Sequence, residues 1–153
     1  IVVFIDQLTK YMVIQNMVLR ESRQVIDGFF NLTYLRNTGA VWGIFQYRNG
    51  WLILLSIVAL ILLAVFYRVL VTNRRIYRIA LGCLIGGIIG NLIDRIKLGW
   101  VIDFFDFYLF DLHWPAFNVA DSSICIGVAI YLISSIYFSA GFSRLFFRPD
   151  RIA

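Results

Sequence analysis

Long uncharged runs, broken by short polar stretches, set the pattern of this chain. Residues 1–19 are apolar apart from a few positions that include Asp6 and Lys10, four apart and so on one helix face. Residues 50–71, 76–98 and 121–142 form three further apolar segments, each near the roughly 20 residues that a spanning helix needs. Between the first two segments the pattern changes. Phe30-Asn31-Leu32-Thr33-Tyr34 alternates apolar and polar, the period of a half-buried strand, and Asn37-Thr38-Gly39 supplies turn chemistry. Residues 20–49 are therefore expected to be β-rich and to lie on one membrane face, with 99–120 a loop and 143–153 a tail. The expected fold is an all-α integral membrane protein in one domain over 1–153, with four transmembrane helices and a small β-rich segment between helices 1 and 2. Because Ile1–Ile5 is already apolar, the first helix reads as lacking its beginning. A cleaved secretory signal fits less well, since no small-residue cleavage site follows.

Composition supports the membrane reading. The chain is 61% hydrophobic and 15% charged, with mean hydropathy +0.81, where soluble domains average about 45–50% apolar and about 25% charged. Its net charge of +5 does not point to nucleic acid, because the basic residues mostly flank apolar runs, as topology signals and headgroup contacts do. Arg74, Arg75 and Arg78 in one connection and Arg144, Arg148 and Arg151 in the tail put both on the cytoplasmic side. The segments 20–49 and 99–120 then face outward, although Arg20, Arg23, Arg36 and Arg48 dilute the contrast. Trp42, Phe45 and Tyr47 read as interfacial anchors. Gly82, Gly86 and Gly90 recur every four residues as a packing stripe, broadened by Gly87. Cys83 and Cys125 fall inside apolar runs without disulfide or metal spacing.

The candidate chemistry lies between the last two apolar runs. Gly99–Ser123 carries Asp103, Asp106, Asp111 and Asp121 with no Lys or Arg, and a carboxylate beside a membrane is costly unless something compensates its charge. Asp103 follows one run and Asp121 opens the next, so the two are expected to meet across the loop. Two adjacent carboxyls share a proton, giving an acid and a base at one pH. The ionised member activates water, the protonated member polarises a carbonyl, and proton return to the leaving amine completes hydrolysis. Neither metal nor cofactor is required. Asp121 also reads as a plain helix N-cap, and Asp106 and Asp111 as solvated loop carboxylates. His113, the sole histidine, excludes a multi-His metal site and reads as a loop residue; no His-based triad is built here. Asn91 and Arg95 share a face where the third run ends, either as a polar helix end or as groups directed into a site. Asp94 has Lys97 within reach at i+3. The rival reading is a non-enzymatic transporter or lipid-binding subunit using the same charges as a relay, although repeated halves and interrupted helices are lacking.

In chain order the sequence reads D-Q-L-T-K (Asp6–Lys10), N-T-G-A (Asn37–Ala40), G-N-L-I-D-R (Gly90–Arg95), V-I-D-F (Val101–Phe104) and F-N-V-A-D-S (Phe117–Ser122). This series closely resembles the lipoprotein signal peptidases, the type II signal peptidases of bacteria, over nearly the whole chain. Val41 and Ile102 are conservative departures. The resemblance implies an inner-membrane aspartic endopeptidase with both termini cytoplasmic and its site near the outer face. It would cut prolipoproteins before the diacylglyceryl-modified cysteine, as a monomer among membrane lipids. It also implies Asp103 and Asp121 as the catalytic pair, and Asp6, Asn37, Asn91, Arg95 and Asn118 as residues that shape the site and hold substrate. Lys10, Gly39 and Asp94 would support them.

Overall fold

The computed structural model describes residues 1–39, 45–71 and 74–138. Val41, the anchor Trp42 and the arginines of the tail lie outside the described residues. In chain order the elements are α1 (Val2–Asn16), β1 (Ser22–Ile26), β2 (Phe30–Asn37), α2 (Asn49–Val65), α3 (Tyr67–Leu70), α4 (Arg75–Leu98), β3 (Val101–Leu109), β4 (Leu112–His113) and α5 (Val119–Phe138).

The helices turn several charged and amide side chains inward and many large apolar ones outward. Phe4, Leu8, Leu54, Ile61, Leu132 and Ile133 are exposed, whereas Asp6, Lys10, Asn91 and Asp94 are buried. Water would favour the reverse; a hydrocarbon surround favours this arrangement, in which charges turn inward and pair. Both α4 and α5 are long and apolar enough to cross a membrane, and α2 is a shorter apolar helix of 17 residues. The run 50–71 is not one continuous helix, since α2 ends at Val65 and a separate four-residue turn, α3, follows.

Small residues let the helices approach. A Cβ at Gly86 would stand 2.7 Å from Val2, and one at Gly90 would stand 2.6 Å from the Asp6 carboxylate. Gly87 packs on the Ala120 carbonyl of α5, whose Gly127 packs in turn on the Ala80 carbonyl of α4. Gly82 meets nothing within 4 Å, so the expected stripe packs at two of its three positions.

The sheet differs from expectation. Four antiparallel strands lie in the order β1-β2-β3-β4, so half of them come from 99–120, expected to be a loop. Val101 to Phe104 is buried at four successive positions, which erases the period-2 signal of a half-buried strand. Gly99 starts this strand by ending α4 with φ 87°, in the left-handed region, its N–H donating to the Arg95 carbonyl at 3.2 Å. Pairing runs from Asn37↔Val101 through Leu35↔Asp103 to Phe30↔Phe107, with a bulge between Leu32 and Leu35. Val13 of α1 joins Tyr34, Ile102 and Phe104 in the core between helix and sheet.

Two further expectations are corrected on β3. Asp106 is not solvated: it is 7% exposed, accepts from the Thr33 hydroxyl at 3.1 Å and pairs with His113 Nδ1 at 2.8 Å. His113 is correspondingly a strand residue, stacked on Tyr108. Asp111 is exposed, as a loop carboxylate should be.

Candidate active site

Asp121 is not the cap of α5, because the helix begins two residues before it. Asn118 is the cap: its side-chain Oδ1 accepts from the Asp121 N–H at 3.0 Å, and Asp121 Oδ2 accepts from the Asn118 N–H at 3.1 Å. This is the reciprocal arrangement of a capping box, built from Asn and Asp. The N–H of Ala120, between them, donates to Asp6 Oδ1 at 2.9 Å. Otherwise unpaired donors of the first helical turn are thereby used to orient Asp121.

Each oxygen of the two aspartates receives an N–H. Asp121 Oδ1 accepts from Asn91 Nδ2 at 2.7 Å, and Oδ2 from the backbone of Asn118. Asp103 Oδ1 accepts from Asn118 Nδ2 at 2.8 Å, and Oδ2 from Asn37 Nδ2 at 2.9 Å. Asn118 thus bridges the pair. The three amides are held the right way round by groups that can only donate. Gly39 N–H occupies Asn37 Oδ1 at 2.9 Å, Asp121 N–H occupies Asn118 Oδ1, and Lys10 Nζ occupies Asn91 Oδ1 at 3.0 Å. With its carbonyl so engaged, each amide must turn its NH₂ toward an aspartate.

Behind Asn91 lies a second charged cluster. Lys10 Nζ is 2.9 Å from both Asp6 Oδ2 and Asp94 Oδ2, and all three residues are at most 3% exposed. Gln7 donates to Asp94 Oδ1 at 2.9 Å and to Asp6 Oδ2 at 3.2 Å. Asp94 Oδ2 also accepts from the backbone of Ile102 at 3.2 Å, at the start of β3. Asp94 therefore takes its cation from α1 rather than from Lys97 on its own helix.

Asp103 and Asp121 line one cavity of about 970 Å³, together with Asn37, Gly39, Asn91 and Arg95. Leu52, Leu55, Ile88 and Ile124 make it apolar elsewhere, and Trp114 to Phe117 form another part of its lining. Arg95 donates to the Gly39 carbonyl at 3.3 Å, tying α4 to the turn after β2. Burial, and then the neighbouring charge of Asp121, push the Asp103 carboxyl up to about 7; the Asn37 and Asn118 bonds pull the other way. Near neutrality the site therefore holds a proton that an ordinary aspartate would have lost.

Most of the polar residues brought together here stand in the motifs of the chain, but spacing alone does not give their positions. Asp6 and Asn118 are both fully buried and are not among the residues that line the cavity. Gln7 stands within the D-Q-L-T-K motif, yet no role is read for it from the sequence. Asn49, whose side chain donates to the Arg95 carbonyl at 2.9 Å, was missed too.

Comparison with known proteins agrees on one family. The signal peptidase (SPase) II family model matches residues 1–137. A lipoprotein signal peptidase of Geobacter sulfurreducens is 48% identical over 135 residues, covering 86% of this chain and 84% of that protein. One from Syntrophotalea carbinolica is 44% identical over 137 residues, covering 88% and 85%. A bacterial membrane enzyme solved by the in meso method at 2.3 Å superposes with TM-score 0.80 at 36% identity, covering 92% of this chain and 85% of that one.

Proposed function

The chain belongs to the signal peptidase II family, and from that premise we propose that it removes signal peptides from prolipoproteins by aspartic catalysis. One observation carries the chemistry. Two carboxyls face one cavity with amide donors on all four oxygens and, among the described residues, no cation bonded to either.

In this reading Asp121 carries the negative charge, since its bonds are those of a helix N-terminus, where charge is favoured. It takes a proton from water as the water attacks the scissile carbonyl. Asp103 keeps its proton near neutrality and gives it to the carbonyl oxygen as the tetrahedral diol forms. Asp121 then passes its proton to the leaving nitrogen, and Asp103 recovers one as the carbonyl re-forms. Asn37 and Arg95, on the cavity surface, hold the substrate backbone. Asp6, Lys10, Gly39, Asp94 and Asn118 hold the catalytic frame.

The substrate class fits the site. The apolar part of the cavity suits the unwound end of a signal peptide. A diacylglyceryl group would keep its acyl chains in the bilayer, holding the bond to be cut, just before the modified cysteine, at headgroup depth. The full arrangement would be four spanning helices, with both termini cytoplasmic and the sheet on the outer face of the bacterial inner membrane.

The test uses purified protein with lipidated and non-lipidated prolipoprotein peptides. Asp103→Asn and Asp121→Asn should each lower turnover by at least about 10³-fold while remaining folded, and the parent should cut only the lipidated peptide. Near-parental turnover in either variant removes the aspartate pair from the mechanism.

A further inference from the structure

Three asparagine amides aim N–H groups at the two aspartates, and each is fixed by a donor on its carbonyl. For Asn37 and Asn118 that donor is backbone, from Gly39 and Asp121. For Asn91 it is a side chain: Lys10 Nζ at 3.0 Å, with a further contact from Asn118 Nδ2 at 3.2 Å. An ammonium cannot accept a hydrogen bond. Wherever Lys10 stays in place, Asn91 must present its carbonyl to Lys10 and its NH₂ to Asp121, at 2.7 Å. If the amide turned over, its carbonyl would face the Asp121 carboxylate, acceptor against acceptor.

We infer that Lys10 is a positioning residue for hydrolysis: by occupying the Asn91 carbonyl it sets the direction of the amide and so supplies Asp121 with an N–H donor. This rests on the aspartate reading above and adds a role for a cation that touches neither substrate nor either catalytic carboxyl. The geometry supports it twice. Lys10 is 2% exposed and held by Asp6 and Asp94 at 2.9 Å each, so it has little freedom to retreat. The same Asp6 also binds the Ala120 N–H, adjoining Asp121. One turn of α1 thus addresses Asp121 by two routes, through Asn91 and through the backbone of α5.

Removing Lys10 alone would strand two buried carboxylates, so the informative variant is Lys10→Met with Asp94→Asn, which deletes one charge of each sign. On the parental background we expect kcat to fall about 30-fold, the order for losing a hydrogen bond to an ionised group, with KM within about twofold. On an Asn91→Ala background the same change should cost less than about twofold more, because the amide it directs is already gone. Equal losses on both backgrounds, a loss confined to KM, or unchanged kcat would each overturn the inference.

A second measurement needs no variant at Lys10. Lys10 and Lys97 are the two lysines of the chain, so the ¹⁵N signal of the Lys10 ammonium can be assigned with Lys97→Arg. Asp121→Asn should move that signal where Asn91 is present and leave it nearly still in Asn91→Ala; an equal response in both, or none in either, again overturns it. Should Asp103→Asn and Asp121→Asn retain turnover in the same assay, the aspartate reading falls first. If those two are inactive but the Lys10 effects are additive, only the positioning role is lost.

Discussion

Asp6 and Asp94 lie to one side of Asn91, Asp103 and Asp121 to the other, and the two pairs are treated in opposite ways. Asp6 and Asp94 share an ammonium at 2.9 Å, so their charge is met by charge. Asp103 and Asp121 are met by amide and backbone N–H groups, which orient without neutralising. Burial, and then the neighbouring Asp121 charge, lift the Asp103 carboxyl to about 7 and leave a proton available. In the proposed mechanism one residue type therefore does two jobs, and the difference lies in the nature of its donor. A cation would make a buried carboxylate into a fastening; amides would leave it as a reagent.

The comparison breaks most visibly if the fastening is cut. Lys10→Ala should destabilise the protein by about 3–5 kcal/mol, the cost of leaving buried charge unpaired, read as a loss of thermal stability in detergent. Asp103→Asn should do the reverse. With its proton held to about 7 in the folded chain and to about 4 when unfolded, Asp103 binds more protons folded than unfolded between those values. Stability from this group is thus fully present below about pH 4 and is lost as pH rises through about 7. Asp103→Asn should flatten that dependence and be no less stable than the parent at pH 8.

A smaller effect sharpens the contrast within the reactive pair. If Asp103 is the proton donor, cleavage declines as pH rises through about 7. Asn37 Nδ2 favours the ionised form of Asp103, so Asn37→Ala should move this decline to higher pH. A profile that stays put, or moves down, would assign the limb to another group.

Much of this was legible along the chain, for reasons that differ by element. The expected 76–98 segment is close to α4 (Arg75–Leu98), because a long apolar run ended by Asp, Arg, Lys and Gly leaves little choice of boundary. Asp103 and Asp121 stood out because each adjoins such a run without a local counter-charge. β3 did not stand out, since burial at every position of its first half removed the alternation that marks a strand. The Lys10–Asp94 pair joins residues on different helices, and no local spacing reports it. The motif marks Asp6, and only the fold shows that it faces inward to Lys10.

The Lys10 cluster also bears on how the chain is put together. Helix α1 is synthesised before α4, and until α4 arrives Lys10 has Asp6 as its partner but lacks both Asp94 and Asn91. In the proposed four-span arrangement, a nascent first helix carrying an ammonium and a carboxylate would be a poor resident of hydrocarbon. Settling of that helix would then be tied to delivery of the third long one, and the proposed catalytic end of the molecule would take shape only when both are in place.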